Sequence, residues 1–396
     1  MTMAAALDSR PASPQDGTGA IGVARVDIIR DMTQAEPVWR GFESSAPLAT
    51  AFQRFDLLNA WQNHVGAAAG ATPLIAVAYA ADGAPLLLLP FAASHESGAS
   101  VARFMGGKHI TFNMGLWRRD FAAAATKRDI DTVWAAIGAA GIDVLALTQQ
   151  PRVWQGVANP LTLYPAQTSP TGCPLMLFAT SGKPEDNISN GFRRRLRGKE
   201  RKLQAMPNFR YHVAQSDAEI RHLLDWFFVI KPQRMAAQNL PDVFDEPGVR
   251  EFVYQACLAK TPDGGRAIVI HALECDDEVI AIFAGPVDGH RFSMMFNTYT
   301  LSESAKHSPG LILLRDIIDN YAAQNYDSLD LGIGSDEYKR QFCKSDEAVF
   351  DSFIALSARG RFAALGLSSL NHAKRIVKQN PALMQMAQRL RAALHR

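Results

Sequence analysis

The stretch His307-Ser-Pro-Gly-Leu-Ile-Leu-Leu-Arg-Asp316, "HSPGLILLRD", is written like a helix start. Ser308 stands at the N-cap and Pro309 at the first helical position, where a missing N–H costs nothing. The rest of the turn is unusual. Helix N-termini attract Asp or Glu to answer their partial positive charge, yet Gly310, Leu311, Ile312 and Leu313 supply none, and the first acid is Asp316. A helix end left unneutralised in this way suits an anion such as phosphate. Pro309 removes one donor, but the N–H groups of Gly310, Leu311 and Ile312 remain, and Gly310 has no Cβ to hold the anion off. The competing reading is a helix buried too deeply for an acid in its first turn.

Working outward, this helix closes a repeated alternation of elements. In the first half, "VARVDIIR" reads as a strand and "MTQAEPVWRGFESS" as a helix. "FDLLNAWQNHVGAA" places Leu57, Leu58, Trp61 and Val65 on one helical face. "TPLIAVAYA" and "APLLLLPFAA" flank the turn Ala81-Asp82-Gly83 as a hairpin, and "RDIDTVWAAIGAAG" and "IDVLALTQ" follow as helix and strand. Gln150–Lys183, rich in Pro, Gly, Ser and Thr, reads as a linker with short strands. The second half opens with a basic helix and the strand "FRYHVA". Two helices come next, then three strands joined at Asp276-Asp277 and Asp288-Gly289, which predict an antiparallel meander. The Ser308 helix, the strand "SLDLGI", a short helix near Glu337–Phe342 and the strand "VFDSFIA" complete a mixed α/β order.

Composition supports a globular chain: 396 residues, 47% hydrophobic and 20% charged, enough for two domains with full cores. Cys173, Cys257, Cys275 and Cys343 form no C-x-x-C pair and read as reduced, buried thiols. No apolar run reaches the roughly 18 residues of a membrane span, and the first 20 residues lack the pattern of a signal peptide. These features place the protein in the cytoplasm. The net charge of +2 hides a concentration of bases. "RRRLRGKERK" (Arg193–Lys202) has seven bases and one acid, and Ser352–Arg396 has eight Lys or Arg and no acid, which suggests anionic contacts at two places. At 3.6 residues per turn Arg194, Arg197 and Arg201 share a stripe. Aromatic interleaving typical of base stacking is absent there, which argues against sequence reading of RNA.

Four passages together resemble a known family: "TAFQRFDLLNAWQNHVG" (Thr50–Gly66), "RRRLRGKERKL" (Arg193–Leu203), "SPGLILLRDII" (Ser308–Ile318) and "DLGIGSDEYKRQF" (Asp330–Phe342). They are similar to the GNAT acyltransferase superfamily, in particular to its cellulose-biosynthesis (CelD-like) acetyltransferase branch, related to Fem-type aminoacyltransferases. The chain has Tyr299-Thr300 where that branch often has Tyr-Asp, and it lacks the Q/R-x-x-G-x-G/A signature. The resemblance implies two tandem GNAT-like domains. They would be preceded by a disordered leader (1–20), divided as 21–185 and 186–365, and followed by a basic amphipathic tail (366–396). It implies acyl-CoA, most simply acetyl-CoA, as co-substrate, with its pyrophosphate at Ser308, Gly310, Leu311 and Ile312 and further phosphate contacts at Arg194 and Arg197.

Acyl transfer from a thioester needs a base for the acceptor, a donor for the developing oxyanion and an acid for the leaving thiolate. Asp330 lies at the end of its strand beside Gly332-Ile333-Gly334 and suits a base, or else fixes the glycine turn. Tyr338 suits the acid, Lys339 a phosphate or carbonyl contact from an exposed helix face, and Tyr299 is a second acid. "FMGGKHITFNMG" (Phe104–Gly115) reads as the lining of an acceptor cleft or as a hairpin with a glycine bulge. The ten histidines show no metal-binding spacing and no G-x-S-x-G elbow exists, so no metal is expected. The expectation is transfer of an acyl group to an amine or hydroxyl of a sugar or cell-envelope or exopolysaccharide precursor. The alternatives are an aminoacyl-tRNA-dependent transferase, the one reading with a nucleic-acid partner, and an inactive scaffold for polysaccharide synthesis. Pro381 divides the tail, and Leu383, Met386, Leu390 and Leu394 then share one face. That pattern fits either packing on the second domain or docking on an anionic membrane surface, peripheral to the inner membrane.

Overall fold

The hairpin expected around Ala81-Asp82-Gly83 forms, Thr72–Tyr79 pairing antiparallel with Pro85–Glu96. Arg25–Ile29, Thr72–Tyr79, Pro85–Glu96 and Ala99–Phe104 form successive antiparallel neighbours, and Val144–Pro151 runs parallel to Ala99–Phe104. The computed structural model describes residues 21–179, 187–334, 336–380 and 383. The leader and most of the tail beyond 380, including Met386, Leu390 and Leu394, lie outside them. Helices Met32–Ser44 and Lys127–Ala139 pack on the first strands, and the latter starts at a reciprocal Thr126–Asp129 capping box.

The sheet then takes a strand from the far end of the chain. Val349–Ala355 pairs antiparallel with Val144–Pro151, with Phe353 opposite Ala146, and helix Ala358–Gln379 packs over both. The sequence predicts the strand but not its partner, because a period of two reports burial and not pairing.

The second half holds two four-stranded sheets. One runs Arg210–Val213, Val269–Cys275, Glu278–Gly285, Phe296–Tyr299, and the other Arg291–Ser293, Ser328–Asp330, Cys173–Leu177, Ser345–Glu347. Two expectations are corrected here. Cys173–Leu177, inside the segment read as a linker with short strands, is an interior strand of the second sheet and not part of a linker. The third meander strand is also broken. Its first part, Arg291–Ser293, lies parallel to Ser328–Asp330, and its second, Phe296–Tyr299, pairs with Glu278–Gly285. Between them Met294 donates its N–H to Asp330 O (3.0 Å) and Met295 donates to Ala284 O (2.8 Å), so the chain steps from one sheet to the other.

Helix Pro309–Ala323 buries Ile312, Leu313, Ile317 and Ile318 in a core shared with Phe192, Leu196 and Leu203 of the basic helix Asn190–Gln204. Arg193 pairs with Asp319 (2.9 Å), and Arg315 with Glu200 (2.8 Å), fixing the two helices side by side. The larger core joins the halves: Phe252 and Val253 of Val249–Leu258 cluster with Leu57, Leu58 and Trp61. All four cysteines are free and buried. Among the described residues no helix is long and apolar enough to cross a membrane.

Candidate active site

The step between the sheets leaves a gap at the end of strand Ser328–Asp330, and the chain turns there through Leu331-Gly332-Ile333-Gly334. Gly332 has φ 69°, and a Cβ on it would meet Met294 O at 2.8 Å, so the close approach of the two strands requires glycine. Asp330 is fully buried beneath this turn. Its carboxylate accepts from Gly332 N–H (3.1 Å), Ser293 Oγ (2.5 Å) and Cys173 Sγ (3.6 Å). Burial pushes its carboxyl up to about 6, against the pull of Arg291. The side chain thus holds the turn from below, while its neighbours Leu331 and Gly332 line the cavity above.

Lys339 is not on an exposed face. It is buried, with Nζ donating to Gly332 O (3.3 Å) and Ile333 O (3.4 Å) and lying 3.4 Å from Asp336. The helix Glu337–Phe342 points this residue inward, where two turn carbonyls take its ammonium as donor. Tyr338, one residue earlier, lines the cavity and accepts from Asn297 Nδ2 (3.0 Å), leaving its own hydroxyl proton directed at Met294 Sδ (4.0 Å). Burial raises the phenol above its usual range, so it is a protonated donor at neutral pH.

Across the cavity stands a residue the sequence reading did not single out. Lys231, on helix Asp217–Ala237, donates to Asn297 O (3.1 Å), and burial together with Arg234 lowers its pKa below the usual lysine value. A lysine preceding Pro232 in a long helix carries no motif. The signal was only its place one turn before Arg234.

That turn matters because strand Phe296–Tyr299 repeats every two residues, so Asn297 and Tyr299 share a face. Lys231 meets Asn297, and Arg234 stacks on Tyr299 with its guanidinium carbon 3.4 Å from the ring centroid. Tyr299 lies away from the cavity lining, against Gly310, where an added Cβ would be 3.4 Å from its ring. A side chain at this position would make ordinary contact with the tyrosine ring.

At the helix end Ser308 is the N-cap, in a left-handed conformation (φ 56°) and without a capping bond from its own side chain. Lys199 Nζ donates to its Oγ at 2.7 Å. Of the three expected backbone donors, Leu311 and Ile312 already donate to Ser308 O (3.0 and 3.3 Å) in a tightened first turn, which leaves Gly310 N–H without a backbone acceptor. Burial and the charges of Lys202, Lys306 and Lys199 lower the pKa of His307. Arg194 and Arg197 lie on the exposed face of the basic helix. The base that reaches Ser308 is Lys199, roughly 140° around the helix from Arg194 and beside the face that Phe192 and Leu196 bury. The charge run predicted cations at this place, and the helical phase selected a different one.

The cavity itself measures about 590 Å³. Besides the second-half residues it takes Lys108–Thr111 and Gln149 from the first half, and Asp351, Asn371 and Lys374 from the closing strand and helix. The segment read as a cleft lining or a hairpin thus faces the cavity. Asp351 is buried and accepts from Gln149 N–H (2.8 Å) and Asn371 Nδ2 (2.7 Å), and Gln149 has φ 58°. A bridge between the halves borders the opening, with Lys108 Nζ 2.6 Å from Glu246. Among the described residues no cluster of His, Cys, Asp or Glu could hold a metal.

The comparisons with known proteins agree with this geometry. Residues 190–340 match the family described as Acetyltransferase (GNAT) domain. No curated protein matches the sequence significantly. Among solved structures, the chain is similar to the C-terminal domain (DUF2156) of an Agrobacterium fabrum protein described as a lysylphosphatidylglycerol synthetase. The TM-score is 0.52 at 11% identity, over 87% of this chain and 97% of that one. It is also similar to FemX, with a TM-score of 0.52 at 10% identity over 82% and 96% of the two chains. At such identities the likeness speaks to the fold. Residues 190–340 are thus similar to a GNAT-type acetyltransferase domain, within a mixed α/β fold that extends across both halves.

Proposed function

We propose that this protein is an acyl-CoA-dependent acyltransferase of the CelD-like kind, moving an acyl group, most simply acetyl, to an amine or hydroxyl of a sugar or envelope precursor. The observation that carries this reading is the shared face of strand Phe296–Tyr299. It connects the proton-handling pair Lys231 and Tyr338, through Asn297, with the cationic helix end at Gly310, through Tyr299. A thioester in the cavity with its phosphates at Gly310, Ser308, Lys199 and Arg234 would lie along that face.

In the reaction the acceptor nitrogen or oxygen attacks the thioester carbonyl. Lys231 in its neutral form takes the acceptor proton, the carbon–sulfur bond breaks, and Tyr338 protonates the leaving thiolate. Asn297 holds Tyr338 in place, and the Asp330 and Lys339 contacts fix the glycine turn that forms the cavity floor. The opposite wall, with Asp351, Gln149, Thr148 and Asn371, offers the hydroxyl and carbonyl partners that a sugar needs. The test is calorimetric titration with CoA, acetyl-CoA and aminoacylated tRNA. Binding of acetyl-CoA that is lost in Gly310→Glu supports the proposal. Binding of aminoacylated tRNA without CoA overturns it in favour of an aminoacyl transferase.

A further inference from the structure

Helix Ala358–Gln379 has two faces of opposite character. Its inner face is locked: a Cβ on Gly360 would lie 1.7 Å from Asp143 O, Ala364 is buried, and Asn371 donates to Asp351. Its outer face is apolar. Phe362 is 80% exposed, Leu365 67% and Ile376 48%. At 3.6 residues per turn these three fall within roughly an 80° arc on the side away from Gly360 and Asn371. A rigidly packed helix would gain by turning such side chains inward or replacing them with polar ones, unless something covers them.

The flanks suggest what covers them. Arg359 and Arg361 flank the strip, one on each side of it, and no acid occurs from Ser352 onward. A second copy of this helix, packed in either direction, would set cation against cation. The rest of the chain, with Arg389, Arg391 and Arg396 and no acid, would do the same. Apolar side chains bracketed by bases complement a lipid surface with anionic headgroups.

We propose that the outer face of helix Ala358–Gln379 docks this protein on an anionic membrane, with Phe362, Leu365 and Ile376 entering the acyl-chain boundary. The docking itself does not depend on the acyltransferase reading.

Co-sedimentation of the full chain with vesicles tests it, using phosphatidylcholine with and without phosphatidylglycerol and without donor. Binding should require phosphatidylglycerol and weaken with salt. The double variant Phe362→Ser/Leu365→Ser should partition on the order of a hundredfold more weakly, and Arg359→Gln/Arg361→Gln about tenfold more weakly. Thermal unfolding and CoA affinity should stay unchanged in both variants, which separates this inference from the active-site reading. Three results would overturn it. They are no binding to phosphatidylglycerol vesicles, equal binding by the double variant, and a wild-type dimer in light scattering that the double variant converts to monomer.

Discussion

Arg234 lies over the ring of Tyr299, 3.4 Å from its centroid, and Tyr299 in turn covers Gly310 at the start of helix Pro309–Ala323. A cation, an aromatic ring and a helix N-terminus are thereby brought into contact. The first prediction follows from that contact. Gly310→Glu places a carboxylate beside Tyr299, where the donor's phosphates would sit. The variant should fold, since an acid near a helix N-terminus is favourable by roughly 0.3–1 kcal/mol, and its affinity for CoA should fall at least about a hundredfold by calorimetry. Unchanged affinity would remove the phosphate assignment.

The two tyrosines should separate kinetically. Tyr338 lines the cavity and Tyr299 does not. Tyr338→Phe should lower kcat by about 10²–10⁴-fold with little change in donor affinity. Tyr299→Phe keeps the ring under Arg234 and should leave kcat within about threefold. Equal losses in both would show that the acid has been misassigned.

Lys231 should set the pH dependence. Burial lowers its pKa in the folded protein, so its neutral, proton-accepting fraction rises at lower pH than for an exposed lysine. The rate at limiting acceptor should therefore climb with pH to a midpoint below 10.5. Lys231→Arg, charged throughout, should lose both the rate and the climb. A pH–rate profile of the variant that overlays the wild type would exclude Lys231 as the base.

Asp330 should reveal itself in stability. Its folded-state carboxyl, about 6 against 3.8, binds its proton more tightly than the unfolded chain does. That contribution is present below 3.8 and is lost as pH rises through about 6. Relative to Asp330→Asn, which stays neutral, the wild type should lose up to roughly 3 kcal/mol between those limits. Denaturant unfolding of both proteins across the range measures it, and parallel curves would mean that the carboxyl titrates normally.

Lys339 should matter for the cavity floor. Lys339→Met leaves the carbonyls of Gly332 and Ile333 without their donor and should cost about 1–3 kcal/mol of stability. A variant as stable as wild type would show that water replaces the ammonium there.

Much of this site could be read from residues in a row. Pro309 after Ser308 marked the helix start, and Gly332 next to Asp330 marked a turn at a strand end, because both are local backbone requirements. What failed to show was direction and partnership. Lys339 reads as a surface lysine until the turn carbonyls are in place to draw it inward. Lys199 and Arg197 are indistinguishable in a run of bases, and only the helical phase fixed by Phe192 and Leu196 against the core tells which one reaches Ser308. Lys231 depends on a strand some sixty residues later in the chain, with which it shares no local pattern.

The pairing of Val349–Ala355 with Val144–Pro151 has a consequence for how the protein is made. Synthesis runs from the N-terminus, so the first sheet must wait with an unpaired edge while the whole second half emerges. Only the last strand and helix supply Asp351, Asn371 and Lys374 to the cavity wall. A ribosome that stalls after residue 340 would release a chain with an unfinished cavity wall and an unpaired edge in its first sheet. The complete cavity is thereby reserved for chains translated past that strand and helix, and unfinished ones keep an open sheet edge.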